Sequence, residues 1–118
     1  MKLEDQVTNL ELSKKLKKLG VKQESVFWWE HITEMATASG VQKANYWRIT
    51  DGAFRRGFVP AFTPAELGEK LPDLAYSYKK SKDDFVCEYI KYKLVEYAKT
   101  EANVRAKMLI YLIENKLL

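Results

Sequence analysis

The sequence predicts an α+β domain: a mostly antiparallel sheet of four to five strands, with an N-terminal helix, a short middle helix and a C-terminal helix packed on it. Three observations carry this. Apolar residues recur at helical spacing near each end of the chain. Between these ends lie short stretches dense in Tyr, Trp, Phe, Val, Ile and Thr, which favour strands. A helix-start signal, Thr63-Pro64-Ala65-Glu66, interrupts those stretches near the middle. With 118 residues, 47% hydrophobic and 13% aromatic, and only five Gly and three Pro, the composition excludes a disordered chain and fits one domain over 1–118.

Thr8 or Asn9 can cap the first helix, whose Leu12, Leu16 and Leu19 share one face and which Gly20 stops. Ser25 to Thr33 reads as a strand, and so does Asn45 to Thr50. Glu34 to Ala44, with Ser39-Gly40 near its middle, reads as a looser connection between them. Asp51-Gly52 is a turn signal that can join the second strand to a third within Ala53 to Val59. At Thr63 a cap, Pro64 at the first helical position and Glu66 as capping-box partner open a helix that Pro72 ends after Leu71. Leu74 to Lys80 alternates as a strand and Ser81 to Asp84 turns. Phe85 to Tyr97 carries a helical stripe but has the aromatic and β-branched density of a strand, and is assigned to strand. Thr100 caps a final helix from Glu101 to about Lys116, with Ala102, Ala106, Leu109 and Ile113 as its apolar stripe.

Leu12-Ser13-Lys14-Lys15-Leu16-Lys17-Lys18-Leu19-Gly20-Val21-Lys22-Gln23-Glu24-Ser25, Pro60-Ala61-Phe62-Thr63-Pro64-Ala65-Glu66-Leu67-Gly68, and Thr100-Glu101-Ala102-Asn103 running on through Ala106-Lys107-Met108-Leu109-Ile110-Tyr111-Leu112-Ile113-Glu114-Asn115 occur in that order over most of the length. Together they resemble a group of small uncharacterised proteins encoded in phage and prophage regions of bacterial genomes. The resemblance implies a mobile-element origin and a strand before the last helix. It assigns no site residue.

Charge and composition narrow the function classes. Twenty Lys plus Arg against sixteen Asp plus Glu give +4, which permits nucleic-acid contact without arguing for it. The cations cluster at Lys14, Lys15, Lys17, Lys18 and Lys22, at Arg48, Arg55 and Arg56, and at Lys79, Lys80 and Lys82, where Asp83 and Asp84 follow. The longest apolar run, Met108 to Ile113, is far below the roughly 18 residues of a membrane span. The polar N-terminus and a single cysteine, Cys87, lead us to expect a reducing cytoplasm.

Catalytic and metal chemistry find little support. His31 is the only histidine and no nucleophile motif accompanies it or Cys87. His31 and Glu34 have a carboxylate-site spacing without a second such pair, and one His with one Cys cannot build a Cys/His zinc site. No glycine-rich phosphate loop occurs. Glu66 and Glu69 share a helix face, yet nothing ranks them as an acid–base pair. The expectation is a non-enzyme without cofactor or metal, and no small-molecule substrate is identified.

The aromatic residues are the most informative. In a strand, Trp28 falls with Val26 and Glu30 on one face and Trp29 with Phe27 and His31 on the other. Tyr46 and Trp47 repeat the pattern. Covering both faces takes more helix than the sequence supplies, so a second face is closed by the short helix, partly covered, or left for a partner. Trp28, Trp29, Tyr46, Trp47, Arg48, Arg55 and Arg56 are therefore the candidate binding residues. A protein partner or self-association through the sheet fits their aromatic and Arg content. The alternative is a stacking platform for single-stranded nucleic acid.

Overall fold

Asn9 opens the first helix, α1 (Leu10–Lys18), by accepting the Leu12 N–H at 2.9 Å. Gly20, at φ +86°, ends it, and the Val21 N–H reaches back to the Leu16 carbonyl. In the computed structural model, which describes residues 2–51 and 57–118, the chain is α+β, with three α-helices and six strands among those residues. β1 (Phe27–Thr37), β2 (Gly40–Asp51) and β3 (Val59–Ala61) form one antiparallel sheet in the order β2-β1-β3. After α2 (Pro64–Lys70), β4 (Ala75–Ser81), β5 (Asp84–Tyr89) and β6 (Leu94–Ala98) form a second, before α3 (Glu101–Glu114).

Two three-stranded sheets thus replace the single sheet of four to five strands expected from the sequence. Pro60 supplies the reason. It lacks an N–H, which confines a strand to a sheet edge, and it sits mid-way along β3 opposite Trp28. The first sheet ends there, and the Thr63 capping box turns the chain into α2 two residues later. β3 pairs with β1 and not with β2; the expected turn at Asp51-Gly52 and most of the strand expected within Ala53 to Val59 fall on Gly52 to Arg56, which lie outside the described residues.

The segment 34–44 is no loose connection. β1 and β2 run through it as one long hairpin, paired as far as Thr37 with Gly40 across an Ala38-Ser39 turn. Gly40, at φ +118°, adopts a backbone that side chains disfavour. From Phe85 to Tyr97 the strand assignment holds, but as two strands. A 3-10 turn at Ile90–Tyr92 and a left-handed Lys93, at φ 54°, fold β6 back onto β5.

α3 is the centre of the core. Val104, Met108, Leu109 and Leu112 are buried with Leu16 of α1, Leu67 of α2, Phe62, and Cys87 and Tyr89 of β5. Each such side chain contributes about 1.5–3 kcal/mol relative to exposure. Arg105 fastens this layer from the side: its Nε donates to Ser77 Oγ at 2.7 Å and its Nη1 to the Pro64 carbonyl at 2.6 Å. A second fastening joins the first sheet to the helices. Buried Thr8 and Ser13 hydroxyls lie 2.6 Å apart, Thr8 Oγ1 accepts the Phe62 N–H, and the Thr8 carbonyl accepts Trp29 Nε1–H at 3.0 Å.

Candidate functional site

The helices hold the root of the β1–β2 hairpin and leave its outer half bare. Every described side chain from Thr33 to Lys43 is exposed. The strands are 11 and 12 residues long, about 35–40 Å at strand rise, and the molecule spans 58 Å against a shortest dimension of 20 Å. The hairpin is therefore a ribbon projecting from the body.

Its register fixes which residues share a face. Trp28, Glu30 and Ile32 align with Thr50, Arg48 and Tyr46; Trp29 and His31 align with Ile49 and Trp47. A bulge between Ile32 and Glu34 puts an extra residue into β2. Beyond it Glu34 faces Lys43 and Ala36 faces Val41 on one side, and Met35 faces Gln42 on the other. Met35 and Val41, 45% and 70% exposed, are the large apolar groups of this outer half. Glu34 and Lys43, opposite each other, are its only charges, so it is neutral.

At the root the sequence-designated residues have different fates. Trp28 is 3% exposed and offers no surface to a ligand. Trp29 is half-buried and tied to Thr8. Trp47 stacks on His31 at 4.5 Å and 7°, and the Lys14 ammonium lies 4.7 Å from its ring centre. His31 Nε2 also meets Asn45 Oδ1 at 2.7 Å. Arg48, exposed itself, donates to Glu30 at 2.7 Å. Tyr46 is exposed. Arg55 and Arg56 lie outside the described residues. Trp28 and Trp29 are thus not brought together; of the described basic residues here, Lys14 reaches Trp47 and Arg48 pairs with Glu30.

The catalytic candidates are separated as well. His31 and Glu34 point to opposite faces of the ribbon. Glu66 is a structural group: its carboxylate accepts from Thr63 N at 2.8 Å, Ser25 Oγ at 2.9 Å and Val26 N at 3.1 Å, pinning the start of β1 to α2. Cys87 is buried, and that burial pushes its thiol up to about 11, so little thiolate forms near neutral pH. Among the described residues no group of three or more His, Cys, Asp or Glu could hold a metal ion, and no helix is long and apolar enough to cross a membrane.

Sequence reasoning passed over the second sheet. α3 packs on one face, which carries Phe85, Cys87 and Tyr89. The other carries Tyr76 and Tyr78 of β4, Glu88 of β5, and Val95 and Tyr97 of β6. All three tyrosines are more than 40% exposed. Tyr76 and Tyr78 stack at 6.0 Å, and both hydroxyls donate to Glu88, Tyr78 at 3.3 Å. The Glu88 hydrogen bond raises the Tyr76 pKa; desolvation, then the Glu88 charge, raises that of Tyr78. The alternation of Tyr76 with Tyr78 was visible as a strand pattern, but nothing local says which face α3 leaves open.

Between the two sheets opens a cleft of about 700 Å³, bounded by Phe27 and Phe85 and rimmed by Lys79, Lys82 and Lys99. Comparison with known proteins adds no relative: no family model, no curated protein and no solved structure matches the chain.

Proposed function

We propose that this chain is a small non-enzymatic accessory protein of a phage or prophage that works in the cytoplasm by docking onto another protein through its β1–β2 ribbon. One observation carries the reading: the ribbon extends well past the body, bare on both faces, with Met35 and Val41 exposed. A two-stranded hairpin is marginal in water on its own, so exposed apolar residues on one are best accounted for by a surface that covers them. Neutrality favours a protein over nucleic acid, because a ribbon that enters a DNA groove needs cations to match phosphates. The same geometry disfavours base stacking at the ribbon root, where Trp28 is in the core and Arg48 is held by Glu30.

The non-enzymatic side of the reading rests on the lone His31, stacked on Trp47, and on the buried thiol of Cys87. The mobile-element side rests on the three stretches quoted above, and the cytoplasmic side on a single cysteine. A photo-crosslinking amino acid at Val41, with Lys2 as control position, tests the docking in cells. We expect a discrete protein adduct from position 41 that survives moderate salt and vanishes in the Met35→Asp variant. Equal labelling from both positions, or none from position 41, would refute the assignment.

A further inference from the structure

Between the two sheets we infer a small-molecule site, separate from docking through the ribbon. The cleft bounded by Phe27 and Phe85 takes an aromatic zwitterion of the amino-acid class. Its ring lies against the apolar walls, its carboxylate meets the lysines of the cleft, and its ammonium meets Asp5 and Asp83.

Size and lining come first. At about 700 Å³ the cleft is far larger than the voids of a packed interior and falls within the range of ligand pockets. Phe27 lines it from the first sheet, Phe85 from the second, and Pro64 from the start of α2. In the β4–β5 ladder Lys79 stands directly opposite Phe85, so an ammonium group and an aromatic ring share the face on which α3 packs. Apolar walls with a few convergent polar groups are the usual make-up of a small-molecule site.

The walls are braced before any ligand arrives. Glu66 of α2 accepts the N–H of Val26, next to Phe27, at 3.1 Å. The Pro64 carbonyl accepts from Arg105 of α3 at 2.6 Å, and Arg105 also donates to Ser77 of β4 at 2.7 Å. A continuous set of hydrogen bonds thus runs from β1 through α2 and α3 to β4 and holds the two sheets apart at a set spacing. A site fixed in this way loses little conformational freedom on binding.

The charges select the class of ligand, because both signs are present and unmatched. Lys79, Lys82 and Lys99 border the cleft, and so do Asp5, Asp83 and Glu101. Glu101 is already engaged: it accepts from Ser77 Oγ at 3.1 Å and lies 3.8 Å from Arg105 Nη2. The other five make no ion pair among the described residues. A polyanion would be repelled by Asp5 and Asp83, and a simple amine by three lysines. A molecule with one charge of each sign gives both sets a partner, and an aromatic body covers Phe27 and Phe85.

The test is a nuclear magnetic resonance titration of the isotope-labelled full chain with L-phenylalanine. It is repeated with phenethylamine, phenylpropionate and L-alanine, which lack the carboxylate, the ammonium and the ring in turn. We expect saturable shifts at the amides of Phe85, Lys99 and Thr100 and none at Val41, with affinity about tenfold lower for each analogue. Lys79→Gln should weaken L-phenylalanine and phenylpropionate and spare phenethylamine. Asp5→Asn combined with Asp83→Asn should weaken L-phenylalanine and phenethylamine and spare phenylpropionate. All three side chains are exposed, so these variants should keep the fold, as circular dichroism checks; Lys99→Gln replaces Lys79→Gln if that one does not. The inference is overturned by no saturable shift at the cleft, by an analogue that binds as tightly as L-phenylalanine, or by unchanged affinities in the folded charge variants.

Discussion

The body and the outer ribbon are built from the same antiparallel pairing, yet they stand in opposite relation to water. In the body, each strand of the second sheet turns one face to α3, and residues such as Val104 and Leu112 are wholly buried. In the ribbon beyond Ile32, each strand's partner is the other strand, and both faces are wet. The difference separates two uses of a strand: one fixes the fold, the other is held out by it. Substitutions ought to respect that boundary.

The largest expected contrast is between Leu109 and Val41. Leu109→Ala opens a cavity beneath α3 and should cost about 2–5 kcal/mol in denaturant unfolding, whereas Val41→Ala should stay within about 0.5 kcal/mol. A ribbon substitution that unfolds the protein would erase the distinction.

Arg105 marks the boundary's inner side. Its loss in Arg105→Ala should cost about 1.5–3 kcal/mol, since a charged donor leaves Ser77 Oγ and the Pro64 carbonyl. Gly68 sharpens this, because a Cβ there would stand 2.6 Å from Arg105 Nη1. Gly68→Ala should therefore destabilise despite the roughly 1 kcal/mol that alanine contributes to a helix, and should become stabilising once Arg105 is alanine. A double-mutant cycle by thermal unfolding reads that reversal.

Thr8 tests the fastening at the ribbon's root. Thr8→Val removes the hydroxyl that Ser13 and the Phe62 N–H meet in a buried site, for an expected loss of about 1–3 kcal/mol. The same variant should speed hydrogen exchange in the inner ribbon more than in β5; equal acceleration would mean that root and body unfold as one.

The smallest effect is alkaline. Below the ordinary thiol pKa of 9.0, Cys87 is protonated folded or unfolded, and its contribution is fully present. Between that and the folded value of about 11 the unfolded chain releases its proton first, so stability falls as pH rises. The raised Tyr76 and Tyr78 act in the same direction above 10.0. Melting temperature should therefore decline through this window, less steeply in Cys87→Ala. Native Cys87 should also resist thiol reagents near neutral pH and react fully in denaturant.

What the sequence disclosed depended on how local the cause was. The capping box of α2 and the Asn9 cap and leucine face of α1 are set by residues within one or two turns, and they stand where the spacing puts them. The ribbon tip escapes a reading of the sequence because Ala36 and Gly40 are poor strand formers, and only their cross-strand pairing, with Val41 and Thr37, makes them extended. The tandem tryptophans advertised a surface, but Trp28 was claimed by the core and Trp29 by Thr8, contacts that span the chain. Tyr76, Tyr78 and Tyr97 became a face only because α3 chose the other side of their sheet.

The bulge between Ile32 and Glu34 has a further consequence, for how such a molecule can vary. Inside the body, helix and strand lengths are locked by the side chains they bury. Past the bulge the hairpin answers to nothing but its own register. Cross-strand pairs can be added or removed in matched steps without disturbing α3, each step changing the reach by about 3.4 Å. An unmatched residue, by contrast, exchanges the two faces of everything beyond it on that strand, as the extra residue in β2 already does for Val41 and Lys43. The outer ribbon is thus a dimension the chain can lengthen, shorten or turn over while its folding core stays the same.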